Sequence, residues 1–418
     1  MSNVKIFTSN IEEEAVNQIN TLVNIPVFSE AKVRIMPDVH AGAGCVIGFT
    51  ANLGDKVIPN IVGVDIGCGM LAVELGNIDI DLERLDRVIH QVVPAGMNVH
   101  KITTCHFPLE GLKCYSAIAN KNEYFQQSIG TLGGGNHFVE LDTDASGNKY
   151  LIIHTGSRNL GCQVAKYYQE LAIIERSGRF NEKEEIAETI KSLKAAGKER
   201  EISTSIANIK AKYARLEPNI PNELCYLTGV NREAYLHDMA ICQEYAEFNR
   251  RVIAQNILST YFQDHVRLNN EENRGDWCTC DVVQYEFYYF ETVHNYISFE
   301  DNIVRKGAIY AGLGKKVLIP LNMRDGCIIG IGKGNEDWNC SAPHGAGRVM
   351  SRSKARETVN MEEYQASMKG IYTTTVSELT IDEAPMVYKP AEEIIENIQE
   401  TVEVINHIYP VYNFKAEE

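Results

Sequence analysis

The positions of this chain best equipped for chemistry are one thiol, one carboxylate and three imidazoles, each set in or beside a glycine-bearing turn. Asp65 and Cys68 flank Gly67 in Asp65-Ile66-Gly67-Cys68-Gly69, and His137 closes Gly133-Gly134-Gly135-Asn136-His137. His154 ends the apolar run Tyr150-Leu-Ile-Ile-His154, and His294-Asn295 follows the aromatic stretch Tyr285-Glu-Phe-Tyr-Tyr-Phe290. Singly, each has an ordinary reading as a turn-capping Asp, a buried Cys or a hydrogen-bonded core His. Together they exceed the three or four ligands of a usual catalytic zinc site and suit two metal ions, with a thiolate able to bridge them. Softness favours zinc, while the carboxylate and open positions permit Mn²⁺; residue types alone leave both open.

A second constellation is Pro343-His344-Gly345-Ala346-Gly347-Arg348. The small residues leave room for a nucleotide, and Arg348 can pair with phosphate in a fork. An imidazole attacking phosphorus gives a phosphoramidate, a high-energy covalent intermediate, so His344 is a candidate nucleophile. A further metal-ligating His is the competing role. Thr155-Gly-Ser-Arg158, directly after His154, adds hydroxyls and a cation suited to phosphate. Familiar nucleotide motifs fail. Gly312-Leu-Gly-Lys-Lys316 resembles a P-loop, but Ile309 stands where its first glycine belongs, and Lys316 stands where Ser or Thr belongs. The chemistry indicated is metal-assisted reaction at a phosphate, in an unusual site.

Elements must bring these residues together from across the chain. Gly-punctuated apolar runs over 31–76 and 303–334, among them Ile61–Val64, Lys316-Val-Leu-Ile-Pro and Cys327-Ile-Ile-Gly, read as buried strands. Apolar spacing predicts helices over 11–23, 79–93, 160–177, 231–260 and 389–408. Residues 178–214 are rich in Glu, Lys, Arg and Ala and read as an exposed helical pair inserted between core elements. Their mixed charge does not favour an RNA-contacting arm. Ligands spread from residue 65 to 344, with no linker or repeat, imply one domain over 1–418 folded around one cleft.

With 418 residues, 44% hydrophobic and 23% charged, the chain can bury a large core. A net charge of −16 argues against coating nucleic acid through bulk charge. It leaves room for a local basic cluster at Arg348, Arg352, Lys354 and Arg356. The 11 Cys form no regular framework. The start Met1-Ser-Asn-Val-Lys-Ile6 lacks a signal-peptide core, and no apolar run is of membrane-spanning length. These features predict a cytoplasmic protein with free thiols. Cys278-Thr-Cys280 reads better as two small buried hydrophobes than as a metal site.

The motifs resemble those of the RtcB-type, GTP-dependent RNA ligases, which seal RNA bearing 3′-phosphate ends. The resemblance runs over nearly the whole chain. It rests on Lys5-Ile-Phe7 with Ile11-Glu-Glu-Glu, Met36-Pro-Asp-Val-His40, Val64-Asp-Ile-Gly-Cys-Gly69, Gly133-Gly-Gly-Asn-His-Phe-Val-Glu140 and His154-Thr-Gly-Ser-Arg158. Further on it includes His294-Asn295, His344-Gly-Ala-Gly-Arg348, Asp382-Glu-Ala-Pro385 and Tyr388-Lys389. It implies an α+β fold, with sheets flanked by helices around a central metal- and nucleotide-binding cleft. It further implies that Cys68 is shared by two Mn²⁺ ions, with His154 and His294 completing one and Asp65 and His137 the other. His344 matches the histidine that becomes guanylylated. Asn136, Glu140, Asn322, Ala346, Tyr388 and Lys415 fall where the family lines its GTP pocket. Asp38, Arg158 and Arg348 match polar residues around the reacting phosphates. The implied reaction joins a 3′-phosphate or 2′,3′-cyclic phosphate end to a 5′-hydroxyl end. It passes through histidine–GMP and an RNA-ppG end, with cleaved tRNA or damaged ribosomal RNA as substrate and an activating protein as a further possible partner.

One stretch departs from the family pattern. A Pro-Gly-Ser-Met-Gly loop of typical members is here Pro320-Leu-Asn-Met-Arg324, a later pocket serine aligns with Cys327, and the terminal Lys-Gly is Lys415-Ala416. This marks a divergent bacterial paralogue. The alternatives to a ligase are a metal-dependent RNA-end phosphoesterase and an RNA-end-binding protein without turnover.

Overall fold

The computed structural model describes residues 3–178, 181–213, 216, 218–270 and 284–416. Cys278 and Cys280 lie outside the described residues.

An eight-stranded sheet carries the residues of interest. Its order is Lys316–Asn322, Gly326–Gly332, Val402–Lys415, Phe138–Thr143, Lys149–Thr155, Gly69–Gly76, Tyr285–Val293 and Val266–Asn270. All neighbours are antiparallel except the last pair. The register explains why distant residues meet. His154 pairs with both Phe138 and Met70, and Gly69 pairs with Val293. His137 directly precedes Phe138, Cys68 precedes Gly69 and His294 follows Val293. Four ligand-bearing strand ends therefore lie along one end of the sheet.

The helix Gly229–Phe262 packs across this sheet, burying Tyr235, Met239, Tyr245, Ile253 and Ile257 among other side chains. A five-stranded sheet, ordered Val4–Ile6, Val33–His40, Ile47–Asn52, Ile303–Lys306 and Asn295–Ile297, carries Asp38. A two-stranded ribbon, Ala308–Tyr310 with Ser341–Pro343, ends immediately before His344. The fold is thus mixed α+β. Helices Glu182–Ala195 and Ile202–Tyr213 pack on each other, tied by Glu185 to Lys212 and Tyr213. Among the described residues, no helix is long and apolar enough to cross a membrane.

Two expectations for local structure fail. The stretch expected as a strand over Ile61–Val64 is a short helical turn, Pro59–Val62. Pro59, at the first helical position with its φ preset, starts the turn, and Gly63 at φ 96° ends it. The helix expected over 389–408 stops early: Ala391–Asn397 is helical, but Val402–Lys415 is a strand. The run Thr401-Val-Glu-Val-Ile405, rich in β-branched residues, pairs with Gly330–Gly332, and the same strand goes on to pair with Phe138–Thr143 through 409–415; that pairing overrides the apparent helical spacing.

Candidate active site

The ligand candidates converge. Cys68 Sγ lies 3.3 Å from His154 Nε2 and 3.6 Å from His137 Nε2. His154 Nε2 is 3.4 Å from His294 Nε2, and His137 Nε2 is 3.0 Å from an Asp65 carboxylate oxygen. The donors fall into two triads that share Cys68, namely Cys68–His154–His294 and Asp65–Cys68–His137, each with its atoms within 4.8 Å of one another. The backbone makes this possible at Gly67, whose φ of 72° turns the chain sharply between Asp65 and Cys68.

The donor chemistry fits two divalent cations. Burial holds the pKa of His154 and of His294 well below the ordinary imidazole range, so both rings are neutral and carry a free lone pair. His137 Nδ1 donates to the Leu132 carbonyl at 2.9 Å, and His154 Nδ1 to the Asn136 carbonyl at 3.2 Å. These bonds fix the tautomers that turn each Nε2 toward the cluster. Burial raises the Asp65 pKa, but hydrogen bonding and charge from His137 outweigh it and hold the carboxylate at about 2. Asp65 is therefore an anion at neutral pH.

Arg158 sits beside this centre with φ 55°, a left-handed conformation uncommon for a non-glycine residue. Its guanidinium reaches to 3.4 Å from His137 Nδ1 and lies so close over Gly133 that any side chain there would collide with it. His344 belongs to neither triad. Asp38, fully buried, accepts from His344 Nδ1 at 2.6 Å and from the His344 backbone N–H at 3.1 Å. That cap leaves Nε2 as the ring's free nitrogen, 4.8 Å between ring centres from His294. The sequence placed Asp38 near reacting phosphates; the structure makes it the partner of His344.

A cavity of about 290 Å³ joins the two groups. Asp65, Cys68, His154, His294 and His344 line it together with Asn136, Glu140, Asn322, Ala346, Arg348, Tyr388 and Lys415. Among the sequence-derived candidates, Asp38, Arg158 and His137 stand behind its wall, each in contact with a residue already named. Asn322 folds back on its own turn, bonding Asp325 Oδ2 through Nδ2 and accepting from the Arg324 and Asp325 N–H groups. Arg324 is forked onto Asp325 at 2.7 and 2.8 Å, so its charge is engaged within the loop.

The sequence reading named residues of two further features without showing what they contact. The first is the carboxylate pair Asp382–Glu383. Glu383 binds Arg348 at 3.1 Å, Arg352 at 2.9 Å, Lys415 at 2.7 Å and the Tyr388 hydroxyl at 2.6 Å. Asp382 binds Arg352 at 2.8 Å and Arg356 at 3.3 Å. Burial pushes the Glu383 pKa up, but Lys415, Arg352 and Arg348 together bring it down to about 2. The fork of Arg348 is thus already held inside the protein. The second is a buried set of Glu140, Asp142 and Cys327. Asn413 donates to Glu140 at 2.5 Å, and burial raises the pKa of both carboxyl groups. The only local signals were Asp142 two residues after Glu140 on one strand, and adjacent acids in Asp382-Glu383. Neither reveals its partners without the fold.

An α+β fold that gathers a thiol, three imidazoles and a carboxylate beside a capped histidine is suited to a metal-dependent enzyme. Comparison with known proteins agrees. The family described as tRNA-splicing ligase RtcB matches residues 18–111 and 109–416, and the chain belongs to this family of RNA ligases. It is 29% identical to the RNA-splicing ligase RtcB of Escherichia coli K12, over 96% of this chain and 94% of that protein. It is 25% identical to the tRNA-splicing ligase RtcB of Archaeoglobus fulgidus, over 92% and 87% respectively.

Proposed function

We propose that this enzyme joins RNA 3′-phosphate or 2′,3′-cyclic phosphate ends to 5′-hydroxyl ends, using GTP and two Mn²⁺ ions. The observation that carries the reading is His344, oriented by Asp38, standing beside two ligand triads that share Cys68 in a cavity that also reaches Glu140. One ligase domain spans 1–418, with 178–214 as a helical insertion, and it works in the reducing cytoplasm.

Asp65, Cys68 and His137 would hold one ion, and Cys68, His154 and His294 the other. When bound, the ions supply positive charge that neutralises phosphate oxygens and orients the reacting groups. His344 Nε2 attacks the α-phosphorus of GTP; the N–P bond forms as the bond to the β-phosphate oxygen breaks, and pyrophosphate leaves. Asp38 holds the Nδ1 proton throughout and balances the positive charge on the ring. Glu140 accepts from guanine N1–H and its exocyclic amine, with Asn136, Asn322, Ala346, Tyr388 and Lys415 completing the nucleotide wall. GMP then passes to the RNA 3′-phosphate, freeing His344, and a 5′-hydroxyl attacks that activated end and expels GMP. Water first opens a cyclic phosphate. Arg158 and Arg348 steady the phosphates, Arg348 from the position that Glu383 gives it. Cleaved tRNA or damaged ribosomal RNA supplies such ends.

The test uses α-labelled GTP with Mn²⁺, alongside an RNA substrate with 3′-phosphate and 5′-hydroxyl ends. The native protein should take up covalent GMP that is acid-labile and hydroxylamine-sensitive, and should join the RNA. His344→Ala should do neither while retaining its metal. Full labelling of that variant would sink the nucleophile assignment. Opening of cyclic phosphate without labelled protein would indicate a phosphoesterase, and RNA-end binding with neither activity would indicate a binding paralogue.

A further inference from the structure

The helix Gly229–Phe262 places a fully buried guanidinium, that of Arg250, behind the metal ligands. Its Nη1 donates to the Gly67 carbonyl at 2.9 Å and to the Thr155 carbonyl at 3.0 Å. Its Nε and Nη2 fork onto the Glu291 carboxylate at 3.2 and 3.1 Å. Gly67 lies between Asp65 and Cys68, Thr155 directly follows His154, and Glu291 lies on the strand that ends at Val293, just before His294. One planar cation therefore bonds the backbone beside Cys68 and beside His154, and a side chain of the strand that leads to His294.

Stability alone does not explain this arrangement. Burying a guanidinium is costly even when paired, and an apolar side chain of similar volume is often no less stable. What the group adds is fixed geometry. Its donors lie in one plane at set angles, so the two carbonyls and the carboxylate are held at set separations. An ammonium at the same place has neither the plane nor the fork. The preceding residue extends the clamp: Asn249 accepts from the Gly130 N–H at 2.7 Å and donates to the Thr131 carbonyl at 3.1 Å, at the root of the loop leading to His137.

We propose that Arg250 is the positioning residue of the metal centre, its fork setting the spacing of the backbone segments that carry Cys68, His154 and His294. The inference rests on the metal-centre reading above, and concerns how the chain prepares that centre before nucleotide or RNA arrives. A second cavity of about 450 Å³, lined in part by Gln243, Glu247, Arg250 and Glu291, lies against this position.

The experiment is an equilibrium Mn²⁺ titration of the metal-stripped, full-length protein without nucleotide or RNA, accompanied by circular dichroism and thermal melting of each variant. Arg250→Ala and Arg250→Lys should both bind Mn²⁺ about 10- to 100-fold more weakly, the range typical when a group that orients metal ligands is lost. Millimolar guanidinium ion should restore affinity to Arg250→Ala and do nothing for Cys68→Ser, a response that a general loss of packing would not give. Should Arg250→Ala fail to fold, Arg250→Lys and Glu291→Gln carry the measurement. Native-like Mn²⁺ affinity in Arg250→Lys, or a folded Arg250→Ala that guanidinium does not rescue, overturns the proposal. A native protein that takes up no Mn²⁺ overturns the metal-centre reading itself and this inference with it.

Discussion

The two ends of the cleft are built on opposite electrostatic plans. At one end, Asp65, Cys68, His137, His154 and His294 aim their donor atoms at one another, with Arg158 and Arg250 behind them. At the other, Arg348, Arg352, Arg356 and Lys415 are bound to Asp382 and Glu383. The first end is a set of electron pairs awaiting positive charge. The second is a set of cations already neutralised and locked in place. The contrast shows where the chain has invested in affinity and where in order. The proposed ions would complete the first end, whereas at the second a single carboxylate, Glu383, holds Arg348, Tyr388 and Lys415 in place around the cavity.

Removing Cys68 should break the first end most completely, because both triads share its sulfur. Cys68→Ser should take the Mn²⁺ content of purified protein from two ions per chain to nearly none and abolish guanylylation. His294→Ala should lose one ion and retain the other. Metal analysis decides it, and a Cys68→Ser protein with full occupancy would refute the shared ligand.

Glu140 tests whether the second end reads guanine. Adenine has no N1–H to offer a carboxylate, and a buried group left unpaired gives discrimination of about 10⁴ or more. Glu140→Ala should lose GTP affinity and most of the GTP-over-ATP preference in the labelling assay. An unchanged ratio would move base recognition to another residue.

Glu383 is the hub of the locked end, and its contribution depends on pH with a defined sign. Its carboxyl titrates at about 2 in the folded protein against an ordinary 4.5. The stabilisation is therefore fully present above about 4.5 and is lost as pH falls toward 2. Relative to Glu383→Gln, the native protein should be more stable at pH 7 by on the order of 3 kcal/mol. That gap should narrow progressively below pH 4.5. Denaturant unfolding at several pH values measures it, and a gap independent of pH would remove Glu383 from this role.

The smallest effect is expected at the Leu321–Arg324 loop. Leu321 and Met323 are buried, and Arg324 is neutralised by Asp325. Restoring Gly-Ser-Met-Gly at 321–324 should leave guanylylation intact and broaden the RNA ends sealed by a few fold. A panel of 3′-phosphate and cyclic-phosphate RNAs tests this. If restoration instead switches on guanylylation in an inert native protein, the binding-paralogue reading gains ground.

Much of this was legible in the sequence because side-chain chemistry is local information. Donor types, glycine turns and an isolated His344 can be read from a few neighbouring residues, as can the helices near 82–92 and 229–262, whose apolar spacing matches the faces they bury. Expectation failed where pairing decided conformation. Thr401–Ile405 could serve a helix or a strand, and pairing of Val402–Val404 with Gly330–Gly332 settled it.

The sequence by itself determined which groups could ligate a cation, attack phosphorus or pair with phosphate, since those capacities belong to single residue types. Only the tertiary structure decided which groups meet. Asp38 caps His344 across 306 residues, Arg250 reaches Gly67 across 183, and Lys415 and Arg348 converge on Glu383. Such contacts have no local signature. Strand register and helix packing bring them about, by burying apolar faces that the chemically active residues do not themselves supply.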